Sequence, residues 1–257
     1  MTAAPVIVTR PRDSARNWVR ALREAGLQAS ALPLIEIVPE PMNAALRRAR
    51  EQPEHWHALM FVSGNAVRCF FRDARWSPRF AGVRAWSPGP GTTRALRQAG
   101  WPEQAIDGPL AGAAQFDSEH LWAQVAPQVL PGTPVLIVRG GDAAGAVAGR
   151  SWLADEAAQA GGRLEQLVCY RRLAPRLSTQ QRARAQAAAT DGSIWLFCSS
   201  QAIANLVAAL PQQDWSAAAA LVTHPRIGRS ARAAGFAQIR QSHPVLTDVA
   251  RTLGSLP

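Results

Sequence analysis

The side chains able to do chemistry gather at six short turns, each following a β-branched or apolar run. They are Thr9–Arg12 (TRPR), Ser63–Asn65 (SGN), Pro88–Thr93 (PGPGTT), Arg139–Asp142 (RGGD), Ser199–Gln201 (SSQ) and Thr223–Arg226 (THPR). All are small, hydroxyl-bearing or arginine-bearing. In a parallel α/β sheet ligands bind beyond the carboxyl ends of the strands, and the free N–H groups of a helix start favour an anion. For any one turn, a plain helix cap accounts for the Ser, Thr, Asn or Asp. Six such turns, three of them with arginine, point to an anion-lined cleft.

Other chemistries are excluded by spacing. Gly89-Pro90-Gly91 lacks the GxGxxG pattern because position 94 is arginine, and no lysine is available for a phosphate-binding P-loop. There is no CxxC or HExxH, and His55 and His57 beside Trp56 read as a surface turn, so no metal is expected. Neither Ser63 nor Ser199 lies in GxSxG. His224 reads as a turn residue, and Asp142 is the main carboxylate at a strand end. No strong nucleophile or base stands out in the sequence. Tyr170 is the single tyrosine of the chain. Expected at the end of a connector between two domains, its phenol could donate a hydrogen bond to a leaving group while staying protonated near neutral pH, or it could simply pack there.

The composition agrees with an anionic partner. All 28 basic residues are arginine against 18 acidic ones, a formal charge of +10. The absence of lysine rules out Schiff-base and lysine-base chemistry, and codon bias explains that absence equally well. Arginine keeps its charge and grips carboxylate or phosphate through paired hydrogen bonds. With 257 residues, 47% of them apolar, the chain can bury one large or two small cores. Three separated cysteines (Cys69, Cys169, Cys198) fit a reducing cytoplasm. No signal peptide and no membrane-spanning run is read. Arginines spread without a basic run or an aromatic platform argue against nucleic acid.

These side chains need elements to hold them. The spacing predicts strands at Val6–Thr9, Leu59–Ser63, Val83–Ser87, Val135–Val138, Ile194–Ser199 and Ala220–Thr223. Helices are expected after an Asp13 or Ser14 cap and over 65–71, 92–99, 120–129, 152–160, 202–210 and 230–234. Strands alternating with helices predict a parallel α/β sheet.

An internal repeat doubles this pattern. FVSGNAV (Phe61–Val67) is echoed by FCSSQAI (Phe197–Ile203) at an offset of 136, and GPGTTRALRQAG (Gly89–Gly100) by HPRIGRSARAAG (His224–Gly235) at 135. Gly26 is echoed by Gly161, and Arg10 after VIVT by Arg139 after VLIV. The expected fold is therefore α/β, with two similar three-layer parallel-sheet domains joined by a two-stranded β connector. Residues 1–36 and 173–257 would form one discontinuous domain and 40–166 the inserted one, with 37–39 and 167–172 as connector strands.

Taken in order, VIVTRPR, LPLIEIVP, FVSGNAV, GPGTTRALRQAG, the RGG–GR–L segment (Arg139 to Leu153), VCYRR, FCSSQAI and HPRIGRSARAAGF resemble the uroporphyrinogen-III synthase family over nearly the whole chain. The resemblance implies two α/β domains and no cofactor or metal. The implied substrate is hydroxymethylbilane, a linear tetrapyrrole with eight carboxylates. The enzyme expels its terminal hydroxyl, inverts the last ring through a spiro intermediate and closes the macrocycle as uroporphyrinogen III.

That work is mostly proximity and orientation with modest acid help. Candidate substrate-binding residues are Arg10, Ser63, Asn65, Thr92, Arg139, Ser199 and Arg226, and Tyr170 matches the family's tyrosine thought to assist departure of the hydroxyl. Val62 and Cys198 stand where many members have threonine, and Ile227 is the repeat partner of Thr92. A mechanism resting on a fixed set of hydroxyls is weakened by these departures, whereas one resting on backbone amides is untouched. The partner set so implied is the small tetrapyrrole polycarboxylate, with no nucleic acid and no membrane. The chain is expected to be a monomer, with a transient contact with hydroxymethylbilane synthase left open. A non-catalytic two-domain clamshell for a polyanion is the alternative.

Overall fold

The computed structural model of the protein describes residues 4–73, 76–109, 116–147 and 152–255. In the first part of the chain these form β1 (Val6–Val8), α1 (Arg12–Glu24), β2 (Ala29–Ala31), β3 (Glu36–Pro39), α2 (Ala44–Glu51), β4 (Ala58–Phe61), α3 (Gly64–Phe70), β5 (Arg84–Trp86), α4 (Pro90–Gln98) and β6 (Ile106–Asp107). There follow α5 (Ser118–Val125), β7 (Pro134–Gly141), α6 (Trp152–Gln159), β8 (Arg163–Leu173), α7 (Thr179–Ala187), β9 (Ile194–Phe197), α8 (Ser200–Ala209), β10 (Ala219–Val222), α9 (Pro225–Ala233), β11 (Gln238–Gln241) and α10 (Leu246–Gly254). Gly149 and Arg150 of the RGG–GR–L segment lie outside the described residues.

The strands make two sheets. The first has the order β11-β10-β9-β1-β2 with every neighbouring pair parallel. Numbered along the chain within that sheet, its order is 2-1-3-4-5, the doubly wound flavodoxin-like arrangement. The second has the order β3-β8-β7-β4-β5-β6, parallel from β8 to β6. Numbered from β4, its five parallel strands run 5-4-1-2-3, which is the same sheet with the chain start moved. The repeat read from the sequence is thus a circular permutation in space, pairing β1 with β7, β2 with β8 and β9 with β4.

Two compact units result, Met1–Glu36 with Leu173–Pro257, and Ile37–Arg172. The two connector segments lie side by side as hydrogen-bonded neighbours, within the larger sheet. β3 is the edge of the six-stranded sheet, and β8 is bonded on both sides, to β3 and to β7. The β7 run is buried along almost its whole length, so it needs a strand on each flank.

Alternation along each strand explains the layers. In the 37–172 unit, Leu59, Phe61, Leu136 and Val138 face a core shared with α2, α3 and α4, while Ala58, Met60, Val135 and Ile137 face α5 and α6. Phe61, Phe70, Phe71, Phe80 and Trp101 interlock on the first face, mostly edge-to-face. Trp195, Phe197, Trp215 and Phe236 repeat that cluster in the other unit.

Some elements differ from expectation. Helix α1 starts at Arg12, and neither Asp13 nor Ser14 caps it; Pro11 precedes it and makes no side-chain cap. Asp13 and Ser14 both lie inside the first turn, and Ser14 Oγ accepts from Arg10 Nε at 2.9 Å. β2, β6 and β11 and helices α2, α7 and α10 were not predicted. β2 is Ala-Ser-Ala and β6 is Ile-Asp, too short and too poor in β-branched residues to signal strands.

Candidate functional site

In a doubly wound sheet the crevice opens where the strand order reverses. That point lies between β4 and β7 in one unit and between β1 and β9 in the other. The residues just past these strand ends are Ser63 and Arg139–Gly141 in the first, Thr9–Arg10 and Cys198–Ser199 in the second.

In the 37–172 unit, Ser63 follows β4 in an extended conformation and caps α3, its Oγ accepting from the Ala66 N–H at 3.2 Å. The same oxygen lies 3.1 Å from the Tyr170 hydroxyl. Tyr170 is only 3% exposed and packs in the core of the 37–172 unit. Burial pushes its phenol above the ordinary value, and the Ser63 hydrogen bond offsets this only in part. The group stays neutral and keeps its proton. Arg139 does not present its guanidinium outward: the residue is 4% exposed and Nη1 donates to Gln166 Oε1 at 2.8 Å. Burial and the neighbouring Arg172 lower its pKa.

The nearby turns are largely self-satisfied. Asn65 Oδ1 accepts from Arg68. Thr92 is buried, and it is Thr93 whose hydroxyl meets Ser87 Oγ at 2.9 Å, closing the PGPGTT turn on itself. Asp142 Oδ1 accepts from the N–H groups of Ala144 and Ala146 at 2.9 and 3.0 Å, so this carboxylate holds a turn.

In the other unit, Arg10 is held from three sides. Its Nε donates to Ser14, its Nη1 to Cys198 Sγ at 2.9 Å, and its guanidinium carbon lies 4.3 Å above the Trp18 ring. Ser199 Oγ caps α8, accepting from the Gln201 N–H at 3.2 Å. Arg226 is exposed at the start of α9, where His224 Nδ1 accepts its backbone N–H at 3.1 Å. His224 is thereby a cap.

The structure thus brings Ser63 to Tyr170, with Arg139 on the neighbouring strand, and gathers Arg10 and Ser199 at the other switch point; Thr92 and Arg226 stand on adjacent turns. Sequence reasoning missed Ser14, Trp18 and Cys198, which hold Arg10. The spacing of Arg10, Ser14 and Trp18 in steps of four is a signal that could have found two of them. It also missed Gly140, which the sequence marks only as part of a non-specific RGGD. Among the described residues no cluster of His, Cys, Asp or Glu could hold a metal, and no helix is long and apolar enough to cross a membrane.

A flavodoxin-like parallel sheet and its permuted copy in one chain, with hydroxyl and arginine side chains at both switch points, define a class of two-unit α/β proteins. The profile of the uroporphyrinogen-III synthase HemD family matches residues 16–246, and the chain belongs to that family. Arg10 precedes the matched span. A uroporphyrinogen-III synthase of Chlorobaculum parvum is 28% identical over 186 residues, covering 70% of this chain and 68% of that protein. A porphyrin biosynthesis protein HemD of Ruminiclostridium josui is 30% identical over 139 residues, 51% of this chain, and the match spans about a quarter (26%) of that longer relative. The crystal structure of uroporphyrinogen-III synthetase from Helicobacter pylori shares the fold, with a TM-score of 0.63 at 15% identity and full coverage of both chains.

Proposed function

We propose that this protein is a cyclising lyase that converts hydroxymethylbilane to uroporphyrinogen III, with loss of water and inversion of ring D. Besides family membership, the observation that carries this reading is the hydroxyl pair of Tyr170 and Ser63 at the end of β4. The terminal hydroxyl of the substrate leaves as water only if it gains a proton as its C–O bond breaks, the pyrrole nitrogen supplying the electrons. Tyr170 holds such a proton at neutral pH. When Tyr170 donates to Ser63 Oγ, the proton of Ser63 is free for the departing oxygen. Ring closure then releases a proton from carbon, which restores the phenol.

Arg10 and Arg226 supply fixed positive charge for acetate and propionate groups, and Ser63, Asn65, Thr92 and Ser199 belong to the turns that face the substrate; each charged hydrogen bond is worth roughly 1.5–3 kcal/mol. In this reading Arg139 acts from beneath the site, through Gln166. The hydroxyl pair lies within one chain, so a monomer suffices, and the free thiols of Cys69, Cys169 and Cys198 suit a cytoplasmic setting. A transient contact with hydroxymethylbilane synthase belongs to the same reading.

The test is to supply hydroxymethylbilane and separate the product isomers. Uroporphyrinogen III formed faster than spontaneous closure is expected. Accumulation of the I isomer alone, at the rate seen without protein, would overturn the proposal.

A further inference from the structure

The pairing of β7 with β8 contains an irregularity at the switch point. Arg139 is opposite Val168, but Gly140 is opposite Tyr170, so Cys169 is an extra residue in β8. Regular alternation would send Tyr170 to the same face as Leu164, which packs toward α5 and α6. Because of the bulge, Tyr170 joins Leu167 and Cys169 on the opposite face, where Ser63 begins α3. Bulges re-aim side chains in this way.

On that face the Tyr170 ring occupies the space where residue 140 would carry a side chain. A Cβ built on Gly140 would stand 2.4 Å from Cε2 and Cζ of the ring and 2.8 Å from its hydroxyl oxygen. The backbone makes no separate demand for glycine, since Gly140 is absent from the glycines with positive φ. What excludes a side chain is the ring.

We infer that Gly140 is a positioning residue: its missing side chain is the seat that holds the Tyr170 hydroxyl against Ser63. The inference rests on the reading of Tyr170 as the acid. Ordinary contact begins near 3.4 Å, so a methyl group at 140 displaces the ring by about 1 Å. A misplacement of that size costs on the order of a hundredfold in rate. The effect falls on kcat, because the substrate's carboxylates are gripped elsewhere.

The single tyrosine makes the displacement directly visible. Protein grown with 3-fluorotyrosine has one fluorine NMR resonance from Tyr170. In the otherwise unaltered protein its phenol is expected to titrate above free 3-fluorotyrosine. In Gly140→Ala the resonance moves, the titration falls toward that of the free amino acid, and kcat drops about a hundredfold with KM changed less than about threefold. An unmoved resonance and titration with full kcat would overturn the inference. If Gly140→Ala does not fold, the same substitution in a Tyr170→Ala background decides: tolerance there supports the seat, whereas continued failure to fold means that residue 140 must be glycine for another reason. Full turnover by Tyr170→Phe would instead sink the acid reading and leave the fluorine prediction standing.

Discussion

Tyr170→Phe separates catalysis from packing because the structure predicts opposite magnitudes for the two. The change removes one oxygen and leaves the ring seated over Gly140. The lost interaction is a single 3.1 Å hydrogen bond to Ser63, which keeps its cap on Ala66. A bond of that kind contributes about 0.5–1.5 kcal/mol, partly offset because a buried hydroxyl no longer needs a partner. The melting temperature should therefore fall by no more than about 4 °C. Removal of a positioned general acid costs about 10²–10⁴-fold in rate, or about 3–5 kcal/mol of barrier. The assay is the initial rate of uroporphyrinogen III formation at saturating hydroxymethylbilane, corrected for spontaneous closure and read beside thermal unfolding. A large loss of kcat with near-normal melting and unchanged KM is expected, with the I isomer rising as unreacted substrate closes in solution. Turnover within about threefold of the unaltered protein would refute the reasoning and reduce Tyr170 to packing.

Arg10→Leu removes the charge held by Ser14, Cys198 and Trp18, and should raise KM by roughly tenfold to a hundredfold with little change in kcat; an unmoved KM would remove Arg10 from the binding surface. The repeat-related glycines Gly26 and Gly161 both have positive φ, +82° and +87°, but only at Gly161 does an added Cβ meet a neighbour, Pro131 Cα at 3.2 Å. Gly26→Ala should cost about 1–2 kcal/mol of backbone strain, and Gly161→Ala more, so thermal unfolding that ranks them the other way contradicts the local geometry. Burial raises the Tyr170 phenol and the Cys69 thiol, the latter to about 11. An unfolded chain ionises these groups at their ordinary values, so the stability they contribute is intact below those values and is lost as pH rises through the raised ones. The urea midpoint should be level near pH 7–8 and decline above about pH 9, and a midpoint that climbs there would show the groups to be exposed.

The amino-acid sequence by itself determined the α/β class, the two related halves and the strand-end turns. Those features are written in local pattern: β-branched runs such as Val6–Val8, helix-ending glycines such as Gly26 and Gly161, and two near-copies of one motif set. It also marked Tyr170, because a lone tyrosine in a recognisable segment stands out. Weak elements escaped it, since Ala-Ser-Ala becomes β2 only through its parallel partner β1.

The surroundings of Tyr170 were beyond its reach for a different reason. Period-two alternation, read from sequence, puts Tyr170 on the wrong face of β8, and one extra residue in the pairing with β7 reverses that. Such a slip is a property of two strands together, invisible in either alone. The same holds for Arg139, whose guanidinium is taken up by Gln166 from the neighbouring strand, and for Arg10, steadied by Cys198 just past the end of β9, 188 residues along the chain. Sequence named the groups that could act; the pairing of distant strands decided which of them are buried and bonded to one another and which stay exposed.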